Sequence, residues 1–343
     1  MWIADLCLVP IRKPQSTSRN PQSGMNIVYL GSGEFGVPCL DALKASGHHL
    51  CLVATQPANP AGRGRKPQPT PVGQWADAHG VAIVETENVN SPQVVQRITA
   101  CRPDVIIVIA FGQKVGKELV TLPPKGAINV HASLLPKYRG AAPINWAIVR
   151  GETHTGISLI TLADKIDAGD VLAQSQTAIG PQETAGELHD RLAQLAAPLL
   201  LLEVLASLEA GAATYTKQND AEATFAPKLR KSDGFLDFNE PAEVLARKIR
   251  GFSPWPGAAA SYISEQTQKS TRVVIALAEV VPGSGATPLP AGTFDRERTV
   301  VCGEGRLNIQ QIKPAGSGLM SFKAFVNGWH VQPGDRLTKI EEE

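Results

Sequence analysis

The sequence predicts an α/β protein with an open, mostly parallel, doubly wound sheet, followed by a small β-rich domain. From Met25 to about residue 130, short apolar runs alternate with helical stretches, which is typical of a sheet covered by helices on both faces. The run DVIIVIA at 104–110 is apolar on both of its alternating faces, as a strand buried on both sides requires. After residue 211 the runs become shorter and are separated by Gly and Pro clusters, which indicates a second domain.

The first domain is predicted to contain seven strands. They are the runs NIVYL, LCLVAT, VAIVE, DVIIVIA, AINV, GISLITL and VLAQSQTAI. The segments PCLDALKAS and SPQVVQRITAC are predicted helices between them. A long amphipathic helix follows the last strand: Thr184 and Glu187 have the spacing of a capping box, and Gly211 marks its end.

Composition changes divide the chain into four expected segments. Residues 1–24 are rich in Pro, Ser, Arg and Gln and are expected to be a disordered extension, with a targeting segment as the alternative. Residues 25–211 form the main domain, and the polar stretch 212–227 is read as a linker. Residues 228–343 contain one helix, PAEVLARKIRGF, and β-like runs such as RVVIALAEVV and RLNIQQI, a pattern that favours a small barrel.

The overall composition describes an ordinary globular protein. The net charge is +1 and 43% of the residues are hydrophobic, so any surface that binds nucleic acid must be local. Five scattered cysteines without CxxC spacing fit a reducing compartment better than a disulfide framework or a zinc site. No segment is read as a membrane span.

The stretch YLGSGEFG places Gly31, Gly33 and Gly36 in GxGxxG spacing after the first strand. A dinucleotide site also needs a carboxylate about 20 residues further on to bind the ribose. The corresponding segment, VATQPANPAGRGRK, contains no Asp or Glu. The sequence therefore argues against NAD, and the glycines are interpreted as a tight strand-to-helix turn.

The segment INVHASLLPKYRGAAPI at 128–144 carries the densest signal for chemistry. Asn129 and His131 stand two residues apart at the end of a predicted strand, so their side chains point to the same side. An amide donor and a titratable imidazole together suit stabilisation of an oxyanion and proton transfer. The loop LLPKYRGAAP after them is expected to shape a pocket.

A second segment, LADKIDAGDVL, contributes Asp164, Asp167 and Asp170. A carboxylate is what the amide and imidazole lack, because it would orient the ring and stabilise its protonated form. Spacing alone does not choose among the three acids, and a solvated turn is the alternative. Metal ligation is disfavoured, since the chain has no HExxH motif, Cys/His cluster or DxDxDG loop.

From Met25 almost to the C-terminus, the sequence resembles the methionyl-tRNA formyltransferases. The resemblance rests on TQPANPAGRGRKPQPTPV, HASLLPKYRGAAPI, FAPKLRKSDGFLDF, IRGFSPWPGA and PAGSGLMSFKAFVNGWHVQPGD. It implies a Rossmann-like formyltransferase fold followed by an OB-like barrel. The GxGxxG spacing then arises because Gly33 stands where the family usually has Pro. The match to the dinucleotide-binding motif is therefore accidental.

The resemblance also implies roles for individual residues. The reaction would be transfer of a formyl group from 10-formyltetrahydrofolate to methionine on initiator tRNA, with Asn129, His131 and Asp167 as catalytic residues and no metal. The folate would contact two loops and one acid: Phe111, Gly112 and Gln113; Ser133, Leu134, Leu135 and Pro136; and Asp164. Phe111 has a plain core position as its alternative.

A tRNA partner needs local positive charge. By resemblance, Arg63, Arg65 and Lys66 belong to a loop that wedges against the acceptor stem, with Arg63 as the most important residue. The second domain would add Lys228, Arg230, Lys231, Arg247, Lys248 and Arg250. The alternative is another 10-formyltetrahydrofolate enzyme, such as a glycinamide ribonucleotide formyltransferase, which would lack the arginine loop and the second domain. The resemblance further implies a monomer. The expected location is the cytoplasm, or an organelle if residues 1–24 are a targeting segment, and no membrane binding is expected.

Overall fold

The computed structural model describes residues 24–61, 66–282 and 288–341. The expected disordered extension lies outside this range except for its last residue. The chain forms two compact units. The first holds the described residues up to Gly140, together with His154–Ala178 and His189–Phe225. The second holds Ala141–Thr153, Ile179–Leu188 and the described residues from Ala226 onward.

The first unit is built on a twisted sheet whose described strands follow the order β10-β9-β7-β6-β1-β2-β5. These are β1 (Asn26–Gly31), β2 (His49–Thr55), β5 (Ile83–Glu85), β6 (Val105–Ile109), β7 (Ala127–His131), β9 (His154–Thr161) and β10 (Val171–Ala178). Strands β5, β2, β1, β6 and β7 run parallel, while β9 and β10 each run antiparallel to their neighbour. The predicted mostly parallel sheet is confirmed.

Shorter strands lie outside this sheet. They are β3 (Asn59–Ala61), which pairs with β4 (Lys66–Gln68), and the two-residue strands β8 (Arg139–Gly140) and β11 (Phe225–Ala226).

Strand β6 is the centre of this unit because all five of its residues are buried. It pairs with β1 on one side and with β7 on the other. The strand order therefore changes direction between β1 and β6, and in an open α/β sheet the ligand crevice lies at the carboxyl ends of the strands at that point. The loops after β1, β6 and β7 all begin there.

The described α-helices are nine segments with the following bounds. They are α1 (Val37–Ala45), α2 (Pro71–His79), α3 (Pro92–Ala100), α4 (Lys117–Thr121), α5 (Pro143–Val149), α6 (Ala185–Arg191), α7 (Ala197–Glu209), α8 (Ala242–Gly251) and α9 (Phe322–Trp329). A π-helical turn at Leu192–Ala196 joins α6 to α7. The predicted capping box is present, because the Thr184 backbone N–H donates to Glu187 Oε2 (2.9 Å) and the Glu187 N–H donates to Thr184 Oγ1 (3.3 Å).

Among the described residues, Ala185–Glu209 is long and apolar enough to cross a membrane by length and composition. About half of this stretch is buried inside the protein, and α7 packs against α1. Core helices of globular domains have the same length and composition.

The glycine-rich turn after β1 packs against the protein instead of leaving its amides free. The N–H groups of Ser32 and Gly33 both donate to Ala110 O (3.2 and 3.3 Å), and Gly36 N donates to Gly33 O. A Cβ at Gly36 would collide with the hydroxyl of Tyr29, which is fully buried. Gly36 therefore makes room for a core tyrosine, and the bonded amides are not available to a pyrophosphate.

The second unit contains a nearly closed antiparallel sheet with the order β14-β15-β13-β12-β17. These strands are β12 (Ala258–Ile263), β13 (Ser270–Val280), β14 (Val300–Val301), β15 (Arg306–Pro314) and β17 (Arg336–Thr338), and β16 (Met320–Ser321) pairs with β15. Closure comes from two consecutive residues: Phe294 bridges to Val300 on β14, and Thr293 bridges to Arg336 on β17. The predicted small barrel is confirmed.

Gly36 provides a test of the packing around Tyr29. Replacing Gly36 with alanine is expected to lower the free energy of unfolding by about 1–3 kcal/mol, because the added methyl group overpacks a buried site. The double variant Gly36→Ala/Tyr29→Phe should recover part of that loss, since phenylalanine lacks the colliding oxygen. Urea unfolding monitored by circular dichroism measures both changes. Gly47→Ala is the control, because no atom lies within 4 Å of its added Cβ. An unchanged midpoint for Gly36→Ala would contradict the packing account.

Candidate active site

Three side chains from two distant segments lie together at the carboxyl end of β7. Asn129 Nδ2 donates to Asp167 Oδ1 at 3.3 Å, and His131 Nδ1 lies 3.6 Å from Asp167 Oδ2. Asn129 and His131 share one side of β7 because alternate residues of a strand point the same way. The loop between β9 and β10 brings Asp167 to them. The structure therefore joins the three residues that sequence reasoning selected.

The imidazole of His131 is held by a backbone carbonyl. Its Nε2 lies 2.9 Å from Tyr138 O, and a carbonyl only accepts, so Nε2 must carry the proton. Nδ1 then faces the carboxylate of Asp167 across a gap longer than a hydrogen bond. The His131 side chain is 6% exposed and that of Asp167 is 13% exposed. The pair is thus largely buried, and the carboxylate is the more exposed of the two groups.

The carboxylate of Asp167 has a further donor that the sequence did not suggest. The Gly140 backbone N–H donates to Asp167 Oδ2 at 2.8 Å. Asp167 itself has φ 52°, and Tyr138 has φ 63°, in the left-handed region that residues other than glycine seldom adopt. Such conformations cluster at functional sites, where the surrounding structure holds them in place.

The loop that follows β7 is fixed by side chains from β9 and β10. Ser158 Oγ accepts from Leu135 N (3.0 Å) and donates to Ser133 O (2.6 Å). Gln174 Nε2 donates to Leu135 O (2.8 Å). Strands β9 and β10 therefore both fix the position of the loop that follows β7.

Several residues expected to contact folate have other contacts. Phe111 is 3% exposed and belongs to the hydrophobic core around β6. The Gln113 side chain accepts from Val89 N (2.8 Å) and donates to Thr86 O (2.7 Å). Ser133 Oγ donates to Lys137 O (2.7 Å), and Leu135 is buried. The polar side chains of Gln113 and Ser133 are thus bonded within the protein, and the side chains of Phe111 and Leu135 lie in its interior.

The remaining expected contacts are less enclosed. Leu134 and Pro136 are partly buried, whereas Asp164 is exposed. Gly112 has φ 75°, which suits a turn at the end of β6. Of the three acids considered from sequence, Asp167 faces the pair, while the backbone of Asp170 pairs with Thr161 (Thr161 N to Asp170 O, 2.9 Å).

The basic residues expected to meet tRNA divide into three groups. Arg63 and Arg65 lie outside the described residues, as does the side chain of Lys66, although its backbone belongs to β4. Lys228, Arg230 and Lys231 are exposed. The others are held within the second unit, as described next.

On α8, the three basic residues contact protein groups. Lys248 forms an ion pair with Glu240 (2.5 Å). Arg250 Nη1 donates to Glu183 O (2.9 Å), and burial lowers the pKa of its guanidinium. The guanidinium of Arg247 packs against Gly151. Of the basic residues that the sequence predicts in this unit, Lys228, Arg230 and Lys231 are therefore more exposed than the three on α8.

No three His, Cys, Asp or Glu side chains among the described residues lie close enough together to hold a metal ion.

Comparison with known proteins matches both parts of the chain. Residues 25–205 match the family described as "Formyl transferase", and residues 228–330 match "Formyl transferase, C-terminal domain". Solved structures share the fold. One is HypX from Aquifex aeolicus in complex with tetrahydrofolic acid, with a TM-score of 0.60 at 18% identity, covering 94% of this chain and 52% of that one. Another is WlaRD, a sugar 3N-formyl transferase, with a TM-score of 0.59 at 15% identity, covering 86% and 99%.

Curated relatives match at higher identity over nearly the full length. Methionyl-tRNA formyltransferase from Geobacter metallireducens is 39% identical over 315 residues, covering 92% of this chain and 99% of that protein. The Methylococcus capsulatus protein of the same name is 40% identical, covering 91% and 99%. The one from Trichlorobacter lovleyi is 41% identical, covering 93% and 99%. This chain therefore belongs to the methionyl-tRNA formyltransferase family.

Proposed function

We propose that the protein transfers the formyl group of 10-formyltetrahydrofolate to the α-amine of methionine esterified to initiator tRNA. The observation that carries this proposal is the cluster of Asn129, His131 and Asp167 at the carboxyl end of β7, in a member of this family. The cluster offers an amide donor, an imidazole and a carboxylate within a few ångströms of one another. Direct attack of an amine on a formyl group needs no protein nucleophile, and those groups can assist it by moving protons and stabilising the oxyanion.

The chemistry follows from what each group can do. The amine attacks the formyl carbon, and the carbonyl oxygen of the formyl group becomes an oxyanion in a tetrahedral intermediate. Asn129 has a second amide hydrogen beyond the one given to Asp167, and this hydrogen would stabilise the oxyanion. Breaking the bond to folate nitrogen N10 then releases formyl-methionyl-tRNA and tetrahydrofolate.

His131 and Asp167 would carry out the proton transfer. The attacking amine must lose a proton and the leaving N10 must gain one, so the step is balanced within the site. His131 Nε2 stays bonded to Tyr138 O, which leaves Nδ1 as the nitrogen that exchanges a proton. A proton on Nδ1 would lie beside Asp167, and the positive ring would then also stabilise the oxyanion.

The folate would occupy the crevice between the loops after β6 and β7, with Asp164 near its mouth. A structural neighbour solved with tetrahydrofolic acid supports a folate donor. Backbone groups of the loops at 110–113 and 133–136 would read the pterin ring, since the polar side chains of Gln113 and Ser133 are bonded to the protein.

The tRNA would be held by local positive charge, because the chain as a whole carries only +1. The loop with Arg63, Arg65 and Lys66 is proposed to meet the acceptor end. Lys228, Arg230 and Lys231 are proposed to contact phosphates, with a smaller part for the α8 residues that already contact protein groups. The protein is proposed to act as a cytoplasmic monomer.

Substitutions in the cluster test the mechanism. Asn129→Ala, His131→Ala and Asp167→Asn are each expected to lower the single-turnover rate of formyl transfer by about 100-fold or more, because each removes a group that acts on the developing charge. The Km for either substrate should change little. A chain-internal control exists in the surface pair His189 and Asp190, whose side chains are 2.9 Å apart; His189→Ala and Asp190→Asn should retain the full rate. A normal rate in any cluster variant would remove that residue from the mechanism.

Substitution of Arg63 tests the role of its loop. Arg63→Ala is expected to lower kcat/Km for charged initiator tRNA at least tenfold, while folate affinity stays unchanged. It should also reduce the slope of log kcat/Km against log salt by about one, as expected for one lost phosphate contact. Arg97→Ala, on the exposed face of α3, is the matched control. Equal salt slopes for the Arg63 variant and the native protein would exclude a phosphate contact.

The acceptor itself is tested by competition among amines. Purified protein and 10-formyltetrahydrofolate are incubated in parallel with methionyl initiator tRNA, uncharged initiator tRNA, glycinamide ribonucleotide and a nucleotide-linked amino sugar. Formylation of the charged tRNA alone is the expected result. Preferential formylation of either small amine would replace the proposed function with another formyl transfer.

A further inference from the structure

One side chain outside the three-residue cluster contacts two backbone carbonyls in the loop that carries Asp167. The amide nitrogen of Gln218 donates to Asp167 O (2.8 Å) and to Gly169 O (2.7 Å). Gln218 lies in the polar stretch that sequence reasoning treats as a linker. Nearby, Thr216 and Val171 exchange both backbone hydrogen bonds (2.8 and 2.9 Å). The polar stretch therefore runs beside the loop that carries Asp167.

The other end of the Gln218 side chain is bonded as well. Its Oε1 accepts from Arg139 Nε (3.1 Å) and Arg139 Nη2 (2.8 Å). Arg139 is 5% exposed, and its Nη2 also donates to Asp220 Oδ1 (2.7 Å). Hydrogen bonding to this guanidinium holds the pKa of Asp220 below its usual value. The Gln218 amide is therefore fixed in one orientation, because a guanidinium only donates and a carbonyl only accepts.

Arg139 stands between the two backbone groups that hold the catalytic side chains. The residue before it, Tyr138, offers its carbonyl to His131, and the residue after it, Gly140, gives its N–H to Asp167. The chain at 138–140 thus touches His131 and Asp167 directly and reaches the Asp167 backbone through Arg139 and Gln218. Both His131 and Asp167 are therefore tied to the same three-residue segment, and Asp167 is tied to it twice.

The backbone conformation of Asp167 explains why these contacts matter. A residue at φ 52° is held in a sparsely populated backbone conformation, which persists only where the surrounding structure fixes it. Bonds to the carbonyls of Asp167 and Gly169 resist rotation of the peptide groups at 167–168 and 169–170, the first of which directly follows the Asp167 Cα. Without them, the loop could relax and carry the carboxylate away from His131 Nδ1.

We infer that Gln218 is a positioning residue for the reaction, which sets the orientation of Asp167 and couples it to the 138–140 loop through Arg139. This inference rests on the proposed function, in which Asp167 serves His131. Gln218 touches neither substrate in this account and acts only through the groups that it holds.

The test compares two substitutions of Gln218. Gln218→Met keeps the length of the side chain and removes both kinds of hydrogen bond. Gln218→Glu keeps an acceptor for Arg139 but places an acceptor against the two carbonyls. Both are expected to lower kcat about 10- to 100-fold, the range seen when groups that orient catalytic side chains are lost or displaced by about 1 Å. The Km for each substrate should stay within about twofold, since binding is not altered.

Thr214→Ala is the control for a substitution in the same polar stretch, because Thr214 is exposed. This variant should keep the native kcat. Circular dichroism checks folding of every variant, and the Glu variant carries the test if the Met variant does not fold. A native kcat in a folded Gln218→Glu variant would overturn the inference. So would failure of both variants to fold, because Gln218 would then serve folding instead of positioning.

A double-mutant cycle separates positioning from other effects. If Gln218 acts through Asp167, Gln218→Glu should cost almost nothing further once Asp167→Asn is present. Independent, multiplicative losses would overturn the inference. The cycle can be run with whichever amine the native protein formylates best. A native protein that ignores charged tRNA would defeat the proposed function alone, whereas multiplicative losses in an active enzyme would defeat the positioning role alone.

Discussion

The constraint on which the site depends is the carboxylate of Asp167, held where two loops meet. It accepts from the side chain of Asn129 and from the backbone of Gly140, and it faces the ring of His131. Three partners from two segments leave the carboxylate few alternative positions. An electrostatic site of this kind works because its dipoles are already oriented when charge develops. The left-handed backbone at Asp167 is the local cost of that orientation.

The sheet explains why these groups can meet. The change of direction between β1 and β6 opens a crevice at the carboxyl ends of the parallel strands, and β7 lies next to β6. The antiparallel strands β9 and β10 then return the chain, so the loop between them reaches the end of β7. A glycine at 169 permits the close approach, because a Cβ there would collide with the carbonyl of Thr161. Topology therefore supplies the amide and imidazole from one strand and the acid from the loop between two others.

Much of the fold could be predicted because its elements have strong local signals. The run at 104–110 is apolar on both faces and became the buried centre of the sheet. The spacing of Thr184 and Glu187 was an equally clear signal for a capping box. Helix α2 was missed, although Thr70 caps it by accepting from Gly73 N, Pro71 begins it and Gly80 ends it. The direction of β9 and β10 could not be predicted, because alternation of side chains is the same in parallel and antiparallel strands.

Only those groups of the site that belong to distinctive side chains could be predicted from the sequence. Asn129 and His131 followed from strand periodicity, and Asp167 followed from family resemblance, since spacing left three acids open. The carbonyl of Tyr138 and the N–H of Gly140 could not be predicted, because every residue has these groups and only the fold selects them. Gln218 gave no signal either, since a glutamine in a polar stretch normally faces solvent. Its importance comes from the two carbonyls and the guanidinium that surround it.

The most direct measurement of the central claim is a crystal structure of the protein with 10-formyl-5,8-dideazafolate, a donor analogue that carries the formyl group on N10. The account predicts that the formyl oxygen lies within hydrogen-bond distance of Asn129 Nδ2, about 3 Å, with the formyl carbon facing the His131–Asp167 pair. A formyl group bound away from these three side chains, in a well-occupied site, would contradict the account.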